Sequence, residues 1–148
     1  MFTAAQSLSH SSPSPRHVAE SRRPSSVLLV DDDIFMLGVL DDMLRDFGVT
    51  GITKAMGGMA ALAALDAMPA PPELVMCDLN MPGGDGFEFL QALGARGFKG
   101  AVVLMSGMNI RTMHSATLMA RFHRLKMAGS LSKPISASAL AAVIGNMA

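Results

Sequence analysis

The apolar residues of this chain form short continuous runs that alternate with segments of helical spacing. Residues 27–30 are a continuous aliphatic run that ends at aspartates, which is typical of a strand buried on both faces. The next apolar residues are spaced three, four and three apart: Leu37, Leu40, Leu44 and Phe47. This spacing predicts one face of a helix that ends at Gly48.

The same alternation occurs four more times. Further strands are predicted at residues 50–54, 74–77, 101–105 and 130–132. Each is followed by apolar residues at helical spacing: Met59, Leu62 and Leu65; Phe87, Leu90 and Leu93; Leu118, Phe122 and Leu125 on a long helix; and Leu140, Val143, Ile144 and Met147. Five strand-helix pairs require right-handed crossovers and a parallel sheet covered on both faces. We therefore predict an α/β fold, a doubly wound five-stranded parallel sheet of the flavodoxin-like (βα)5 type, with strand order 2-1-3-4-5.

Length and composition set the domain organisation. A chain of 148 residues, half of them apolar, is long enough for one core and short for two. Residues 1–25 are rich in Ser, Pro and Arg and lack apolar periodicity, so we predict a disordered leader before one domain at 26–148. The leader superficially resembles an organelle transit peptide, but an over-long start or a cloning remnant explains it more simply.

Charge and cysteine content limit the binding partners and the cellular compartment that can be expected for this chain. Twelve basic residues balance twelve acidic ones, so no overall field attracts nucleic acid or a membrane, and any partner must recognise a patch. A single cysteine, Cys77, excludes an intrachain disulfide and favours the reducing cytoplasm. The four histidines lack zinc-site spacing, and no apolar run approaches the roughly 18 residues that span a bilayer.

Polar residues follow four of the predicted strands. In open parallel sheets the functional crevice lies at the carboxyl ends of the strands. The residues placed there are Asp31, Asp32 and Asp33 after strand one, Asp78 after strand three, Ser106 after strand four and Lys133 after strand five. Taken singly, each is ordinary: an acidic run before a helix more often caps it, and a serine or lysine often lies in a loop. Their joint position indicates a site.

The predicted site would be strongly anionic. Asp31, Asp32 and Asp78 at one sheet edge repel one another unless cations intervene. One Lys133 ammonium and one hard dication bring the formal charge to zero, and oxygen ligands favour Mg²⁺, with Mn²⁺ as the alternative. A carboxylate of Asp78 could then attack phosphorus and form an acyl phosphate, while Lys133 and the metal neutralise the developing charge.

Four stretches of the chain resemble the signature blocks of response-regulator receiver domains: residues 27–33, 77–86, 105–107 and 132–134. The resemblance extends from about residue 26 to residue 148. It implies that Asp78 is the phosphoacceptor and that Mg²⁺ is bound directly by Asp32, through water by Asp31, and by the backbone carbonyl of Asn80. Asp33 then has no role at the metal site and is expected to begin the helix after strand one.

The resemblance also assigns roles around the phosphoryl group. It implies that Ser106 hydrogen-bonds one phosphoryl oxygen, that Lys133 pairs with another, and that the Lys133–Pro134 peptide is cis. Glycines after the phosphoacceptor are expected to allow positive φ or close backbone approach: Gly83, Gly84 and Gly86.

One position departs from the family pattern. Members usually carry an aromatic ring on strand five that reports the phosphorylated state, and Ser130 stands there. We therefore expect coupling through residues 108–127 and a long fourth helix, because Lys133 lies 27 positions after Ser106. The fourth-helix region and the segment after Lys133 also resemble receivers fused to cyclic-di-GMP phosphodiesterase (EAL) modules.

The resemblance implies a phosphorelay signalling switch rather than an enzyme, with chemistry limited to its own phosphorylation and dephosphorylation. Its expected partners are a sensor histidine kinase or phosphotransfer protein and an output domain or protein at the fourth helix, with a homodimer as a further option. Neither nucleic acid nor a membrane is expected to bind directly. One alternative is a phosphoaspartate-type hydrolase, which would need an acid-base aspartate where Asn80 stands. The other is a pseudo-receiver, which the intact set of Asp32, Asp78, Ser106 and Lys133 argues against.

Overall fold

The chain forms a five-stranded parallel sheet with helices on both faces, as seen in a computed structural model that describes residues 23–107 and 110–145. The strands are β1 Ser26–Val30, β2 Gly51–Ala55, β3 Leu74–Asp78, β4 Ala101–Ser106 and β5 Lys126–Ser132. The helices are α1 Ile34–Asp46, α2 Gly58–Ala67, α3 Asp85–Ala95, α4 Ile110–Phe122 and α5 Ala137–Gly145, and a 3₁₀ turn at Pro82–Gly84 leads into α3. The strand order is β2-β1-β3-β4-β5, which confirms the predicted topology.

The three central strands form the middle of the molecule. Almost every residue of β1, β3 and β4 is buried, as their continuous aliphatic runs predict. Alternate side chains enter two separate cores. One core lies against α2, α3 and α4 and includes Val75 and Phe89, and the other lies against α1 and α5 and includes Met76 and Leu140.

The edge strand β5 is longer than predicted. The prediction placed it at residues 130–132, but it runs from Lys126 to Ser132. Most of its residues are exposed or half-buried, so it has no aliphatic run that could mark its start. Met127 pairs with Val102 and Gly129 with Val103, so one residue of β5 bulges out of the ladder.

Helix α4 also differs from its prediction. It ends at Phe122, so Leu125 lies beyond it, although that side chain is buried. The side chains that α4 buries are Ala116 and Ala120, whereas Leu118 and Phe122, which were placed on its apolar face, are exposed. With 13 residues it equals α1 in length, so the expected long helix is wrong. Between Ser106 and Lys133, α4 takes up 13 residues and β5 takes up seven.

Some predictions fall on residues that the structure does not describe. These are residues 1–22 of the predicted leader, Met108 in the proposed coupling segment and Met147 in the last helix. Within the described parts of the chain, no helix has both the length and the apolar character needed to cross a bilayer.

Candidate functional site

Three carboxylates converge at the carboxyl end of the sheet. Asp31 and Asp32 follow β1, and Asp78 is the last residue of β3. Because β1 and β3 are adjacent and parallel, with Val30 opposite Cys77, the residues that leave these strands meet at one edge. One oxygen from each of the three carboxylates lies within 4.8 Å of the others. Asp31 and Asp78 are buried and Asp32 is exposed, so the cluster opens to solvent on one side.

Lys133 bridges the two buried carboxylates. Its Nζ lies 3.2 Å from Oδ2 of Asp31 and 3.1 Å from Oδ1 of Asp78. The backbone amide of Lys133 donates to the carbonyl of Ser106 at 2.8 Å, which fixes the start of the lysine side chain beside β4. The following Lys133–Pro134 peptide is cis, as predicted. One cation therefore serves two anions, which leaves the cluster with a net negative charge.

The buried charges alter one another's proton affinities. Burial raises the pKa of Asp31 from its ordinary value of 3.8 to about 6; the amide of Asp33 opposes this rise, the charge of Asp78 adds to it, and Lys133 opposes it. Burial tends to lower the pKa of Lys133, but the charges of Asp78 and Asp31 outweigh it and raise this pKa above its ordinary value. Lys133 is therefore held in its cationic form.

The two oxygens of Asp78 are in different surroundings. Oδ1 accepts a hydrogen bond from the backbone amide of Asn80 at 3.0 Å and pairs with Lys133. Among the described residues, Oδ2 has no hydrogen bond or ion pair. One oxygen is thus anchored and the other is available for reaction or metal binding.

Ser106 brings a hydroxyl to the same edge. It is the last residue of β4, one position beyond the Asp78–Met105 pair. The side chain is buried, yet its Oγ finds no hydrogen-bond partner among the described residues. A buried hydroxyl without a partner is unfavourable, so this geometry suits a hydroxyl that acquires a ligand.

Two loops at the site are tied together by side chains. Oδ1 of Asn80 accepts from the backbone amide of Gly107 at 2.5 Å, which links the loop after β3 to the end of β4. The role of the Asn80 backbone carbonyl as a metal ligand stays a prediction. Asp33 caps α1 as predicted, since its Oδ1 accepts from the amides of Phe35 and Met36.

The glycine predictions are supported at two positions. Gly83 has φ of +67°, which a side chain would strain. A Cβ at Gly86 would lie 2.7 Å from the carbonyl oxygen of Asp78, so only glycine allows α3 to begin directly behind the candidate phosphoacceptor.

Sequence reasoning missed one residue of the site's surroundings. Oδ2 of Asp85 accepts a hydrogen bond at 2.7 Å from the amide of Gly58, at the start of α2. The residue before that helix is Gly57, which has no side chain to cap it, so the carboxylate of the first residue of α3 performs this function. A glycine pair at a helix start was the available signal, but it does not reveal which distant residue replaces the cap.

Ser130 stands at the strand-five position at which the resemblance leads one to expect an aromatic ring. It lies on β5 opposite Leu104 and is exposed. Ser106 and Ser130 line one side of an open cleft of about 550 Å³, and Met113, His114 and Thr117 of α4 line the other. This cleft connects the candidate site to the outer surface of α4.

The donor set fits a magnesium ion. Carboxylate oxygens are hard ligands, and an Mg²⁺ site typically uses one or two protein carboxylates together with substrate phosphate oxygens. The three carboxylates exceed the single positive charge of Lys133, so a dication would neutralise the excess. The partial exposure of Asp32 leaves room for water and phosphoryl oxygens in the same coordination shell.

Comparisons with solved structures agree with the fold. A response regulator from Colwellia psychrerythraea is 23% identical, with a TM-score of 0.70 over 81% of this chain and 93% of that chain. The receiver domain of NtrX from Brucella abortus is 28% identical, with a TM-score of 0.66 over 78% and 91%. The Vibrio cholerae chemotaxis protein CheY4 is 23% identical, with a TM-score of 0.69 over 84% and 98%.

A curated relative matches only locally. The protein-glutamate methylesterase/protein-glutamine glutaminase of Natronomonas pharaonis is 40% identical over 63 residues, which are 43% of this chain and 17% of that protein. The activity in its name belongs to that protein.

The family assignment comes from the whole domain. The family model for the response regulator receiver domain matches residues 27–145, from the first residues of β1 to the end of α5. Proteins of this family are signalling switches rather than enzymes in the ordinary sense, and they bind Mg²⁺ in an acidic pocket. From this match, the topology and the acidic strand-end cluster, we conclude that the chain belongs to the response regulator receiver domain family.

Proposed function

We propose that the chain is a phosphorylation-dependent switch in which Asp78 accepts a phosphoryl group from a sensor histidine kinase or phosphotransfer protein, with Mg²⁺ bound. The observation that carries this proposal is the asymmetry of Asp78. Lys133 and the amide of Asn80 hold Oδ1, whereas Oδ2 has no hydrogen bond or ion pair within residues 23–107 and 110–145. A carboxylate fixed in this way is oriented before the donor arrives.

The transfer is a displacement at phosphorus. Oδ2 of Asp78 forms the new O–P bond while the P–N bond to the donor imidazole breaks, and the imidazole departs with the bonding electron pair. Lys133, 3.1 Å from Oδ1, is close enough to pair with a phosphoryl oxygen, and the unpartnered hydroxyl of Ser106 can donate to another.

Asp31, Asp32, Asp78 and the backbone carbonyl of Asn80 would hold the metal. Bound Mg²⁺ would neutralise charge on the phosphoryl oxygens.

The switch would act through α4. Ser106 lines the cleft against Met113, His114 and Thr117, so a new hydrogen bond from its hydroxyl changes one wall of that cleft. Since Ser130 supplies no ring to respond, coupling through residues 108–127 is the expected route. Amide exchange on phosphorylation tests this route, and unchanged exchange over residues 108–127 would exclude it.

The partners follow from this proposal. The kinase or phosphotransfer protein would approach the open side of the cluster near Asp32, and an output domain or protein would read the α4 face. Cytoplasmic location, a second copy as partner and a fused EAL phosphodiesterase module remain predictions. A phosphoaspartate hydrolase is the less favoured function, because Asn80 stands where such an enzyme would need an acid-base aspartate.

The proposal is tested by phosphorylating the purified chain with acetyl phosphate and Mg²⁺ and measuring its intact mass. We expect one phosphate per chain, no phosphate on Asp78→Asn, and no uptake when EDTA removes the metal. Asp42→Asn is the matched control, because Asp42 is an exposed carboxylate on α1 outside the cluster. Phosphate on Asp78→Asn, or turnover of many phosphoesters per chain, would contradict the proposal.

A further inference from the structure

A second cavity lies at the opposite end of the sheet from the three clustered carboxylates. It is formed where α2 and α3 end and where the chain enters β3 and β4, and its lining residues come from 65–72 and 93–100. Its volume is about 330 Å³, which lies within the range of pockets that hold small molecules. Since Asp78 ends β3 and this cavity borders the start of β3, the two sites are separated by the length of that strand.

The walls of this cavity are mainly apolar. Four large apolar side chains line it, together with two prolines of the loop before β3: Leu65, Met68, Leu93 and Phe98. Leu65 and Met68 are half-buried, whereas Leu93 and Phe98 are buried. Walls of this kind favour the burial of an apolar body, and an aromatic ring packs well beside a phenylalanine.

Backbone contacts hold these walls in place. The amide of Phe98 donates to the carbonyl of Leu93 at 3.3 Å, which folds the turn before β4 back onto the end of α3. A Cβ at Gly100 would lie 2.5 Å from Cζ of Phe98 and 2.9 Å from the carbonyl oxygen of Pro72, so glycine allows the ring and the two loops to approach closely. The cavity is therefore formed before a ligand arrives, which reduces the entropy cost of binding.

Two cationic side chains also line the cavity. Arg96 forms a two-point ion pair with Asp66 of α2, in which Nη1 lies 2.5 Å from Oδ1 and Nη2 lies 3.4 Å from Oδ2. Lys99 is exposed and forms no ion pair within residues 23–107 and 110–145. Because Asp66 compensates Arg96 and no described lining residue is acidic, Lys99 gives the cavity a net positive charge.

We propose that this cavity, called the α2–α3 pocket, binds a small aromatic anion. The ring of the ligand lies among the apolar walls, and its carboxylate or phosphate group pairs with Lys99. Arg96 has more N–H groups than Asp66 uses, so it can donate to the same anionic group. The inference goes beyond the proposed function and does not rest on it, because the pocket and the phosphoacceptor lie at opposite ends of β3.

A small molecule suits the α2–α3 pocket better than a protein surface does. None of the large apolar side chains that the described part of the chain exposes lines this pocket, so its apolar surface lies inside the concavity and not around it. A protein partner would require a wider contact surface than one concavity supplies. A neutral apolar molecule would leave Lys99 without a partner, whereas an aromatic acid matches both the walls and the charge.

The test measures binding of naphthoate to the full chain by NMR, from the backbone amide shifts. We expect saturable binding with Kd below about 1 mM, and shifts centred on residues 65–72 and 93–100. Naphthalenemethanol has the same ring system without the charge, so it should bind about fivefold more weakly. Naphthyl phosphate tests the head group: the tighter of the two anions identifies whether the pocket prefers a carboxylate or a phosphate.

Variants of the chain test the two parts of the pocket. Lys99→Gln should weaken binding of naphthoate about fivefold, because it removes the pairing charge. Lys54→Gln is the matched control, since it neutralises another exposed lysine, which lies on β2 outside the pocket and pairs with Asp41. This control should bind naphthoate like the unaltered chain. Met68→Glu places a carboxylate in the half-buried wall and should weaken binding of the anion by about tenfold or more.

Several outcomes would overturn the proposal. These are an absence of saturable binding, shifts centred outside the α2–α3 pocket, binding of naphthalenemethanol as tight as that of naphthoate, and equal weakening by Lys99→Gln and Lys54→Gln. Acetyl phosphate labelling separates this proposal from the proposed function. Asp78 should still be phosphorylated in variants that no longer bind naphthoate, and a chain that fails to be phosphorylated should still bind it.

Discussion

The centre of the sheet and its β5 edge differ in burial and in the sign of their charge. At the centre, β1 and β3 are buried on both faces and deliver two buried aspartates to a crowded anionic site. At the edge, β5 and α4 expose apolar and basic side chains around an open cleft. The centre carries negative charge inside the fold, and the edge carries positive charge on its surface.

This difference indicates that the sheet centre holds the site rigidly, whereas the edge formed by β5 and α4 can adapt to a partner. The buried strands β1 and β3 can hold Asp31 and Asp78 in place, both within hydrogen-bonding distance of Lys133, because the packing of these strands leaves few alternative positions. The exposed residues of α4 contribute little to the packing of the core. The residues that α4 buries are Ala116 and Ala120, whose side chains are small. A surface that must bind or release a partner benefits from this lighter packing.

The largest expected contrast is in stability. Leu104→Ala, in the centre of β4, removes a completely buried side chain and should lower the free energy of unfolding by about 3 kcal/mol. Met127→Ala, on the half-buried edge strand, should cost less than about 1 kcal/mol. Urea denaturation followed by circular dichroism measures both values. Equal losses would show that the edge is packed as tightly as the centre.

A second expected effect concerns the charge balance of the site. Lys133→Met leaves two buried carboxylates without their shared cation, so we expect a loss of about 2 kcal/mol without metal. Mg²⁺ should restore more stability to this variant than to the unaltered chain, because the dication replaces the missing positive charge. Lys54→Met removes a cation from a carboxylate outside the cluster and should show the same Mg²⁺ dependence as the unaltered chain. The test measures the melting temperatures of the three proteins with and without Mg²⁺. If Mg²⁺ raises all three melting temperatures equally, the dication does not replace the charge of Lys133.

The same contrast explains how far the sequence could predict the fold. The topology and the three central strands were predictable because strands buried on both faces are marked by aliphatic runs. The start of β5 and the buried face of α4 were not. Residues 126–132 lack an aliphatic run, and α4 buries alanines while it exposes Leu118 and Phe122, so hydrophobicity pointed to the wrong face.

In the candidate site, too, some features could be predicted from the sequence and others could not. The positions of Asp31, Asp78 and Lys133 at one edge were predictable, since each directly follows or ends a parallel strand. The bridging position of Lys133 and the free oxygen of Asp78 required coordinates, because no spacing rule gives side-chain contacts across 55 or 102 residues. The same holds for the contact of Asp85 with the start of α2.

The smallest expected effect tests a pairing on α1, outside both regions. Asp41 lies 2.7 Å from Nε of Arg45 and 3.0 Å from Nζ of Lys54. Burial tends to raise the pKa of Asp41, but the hydrogen bonds from Lys54 and Arg45 outweigh it and hold this pKa below its ordinary value of 3.8. The pairing therefore stabilises the fold above pH 3.8, and its contribution is lost as the pH falls below that value.

Asp41→Asn should cost about 0.5 kcal/mol at pH 7, since both cations are partly exposed and screened by solvent. At lower pH the difference between the variant and the unaltered chain should shrink towards zero, because protonation of Asp41 removes the same charge that the substitution removes. Urea denaturation at pH 7 and at pH 3 measures this change. If the difference in free energy of unfolding between the two proteins is the same at both pH values, the Asp41 side chain stabilises the fold by packing and not by its charge. The contrast between a tightly packed charged centre and weakly packed outer elements would then not extend to α1.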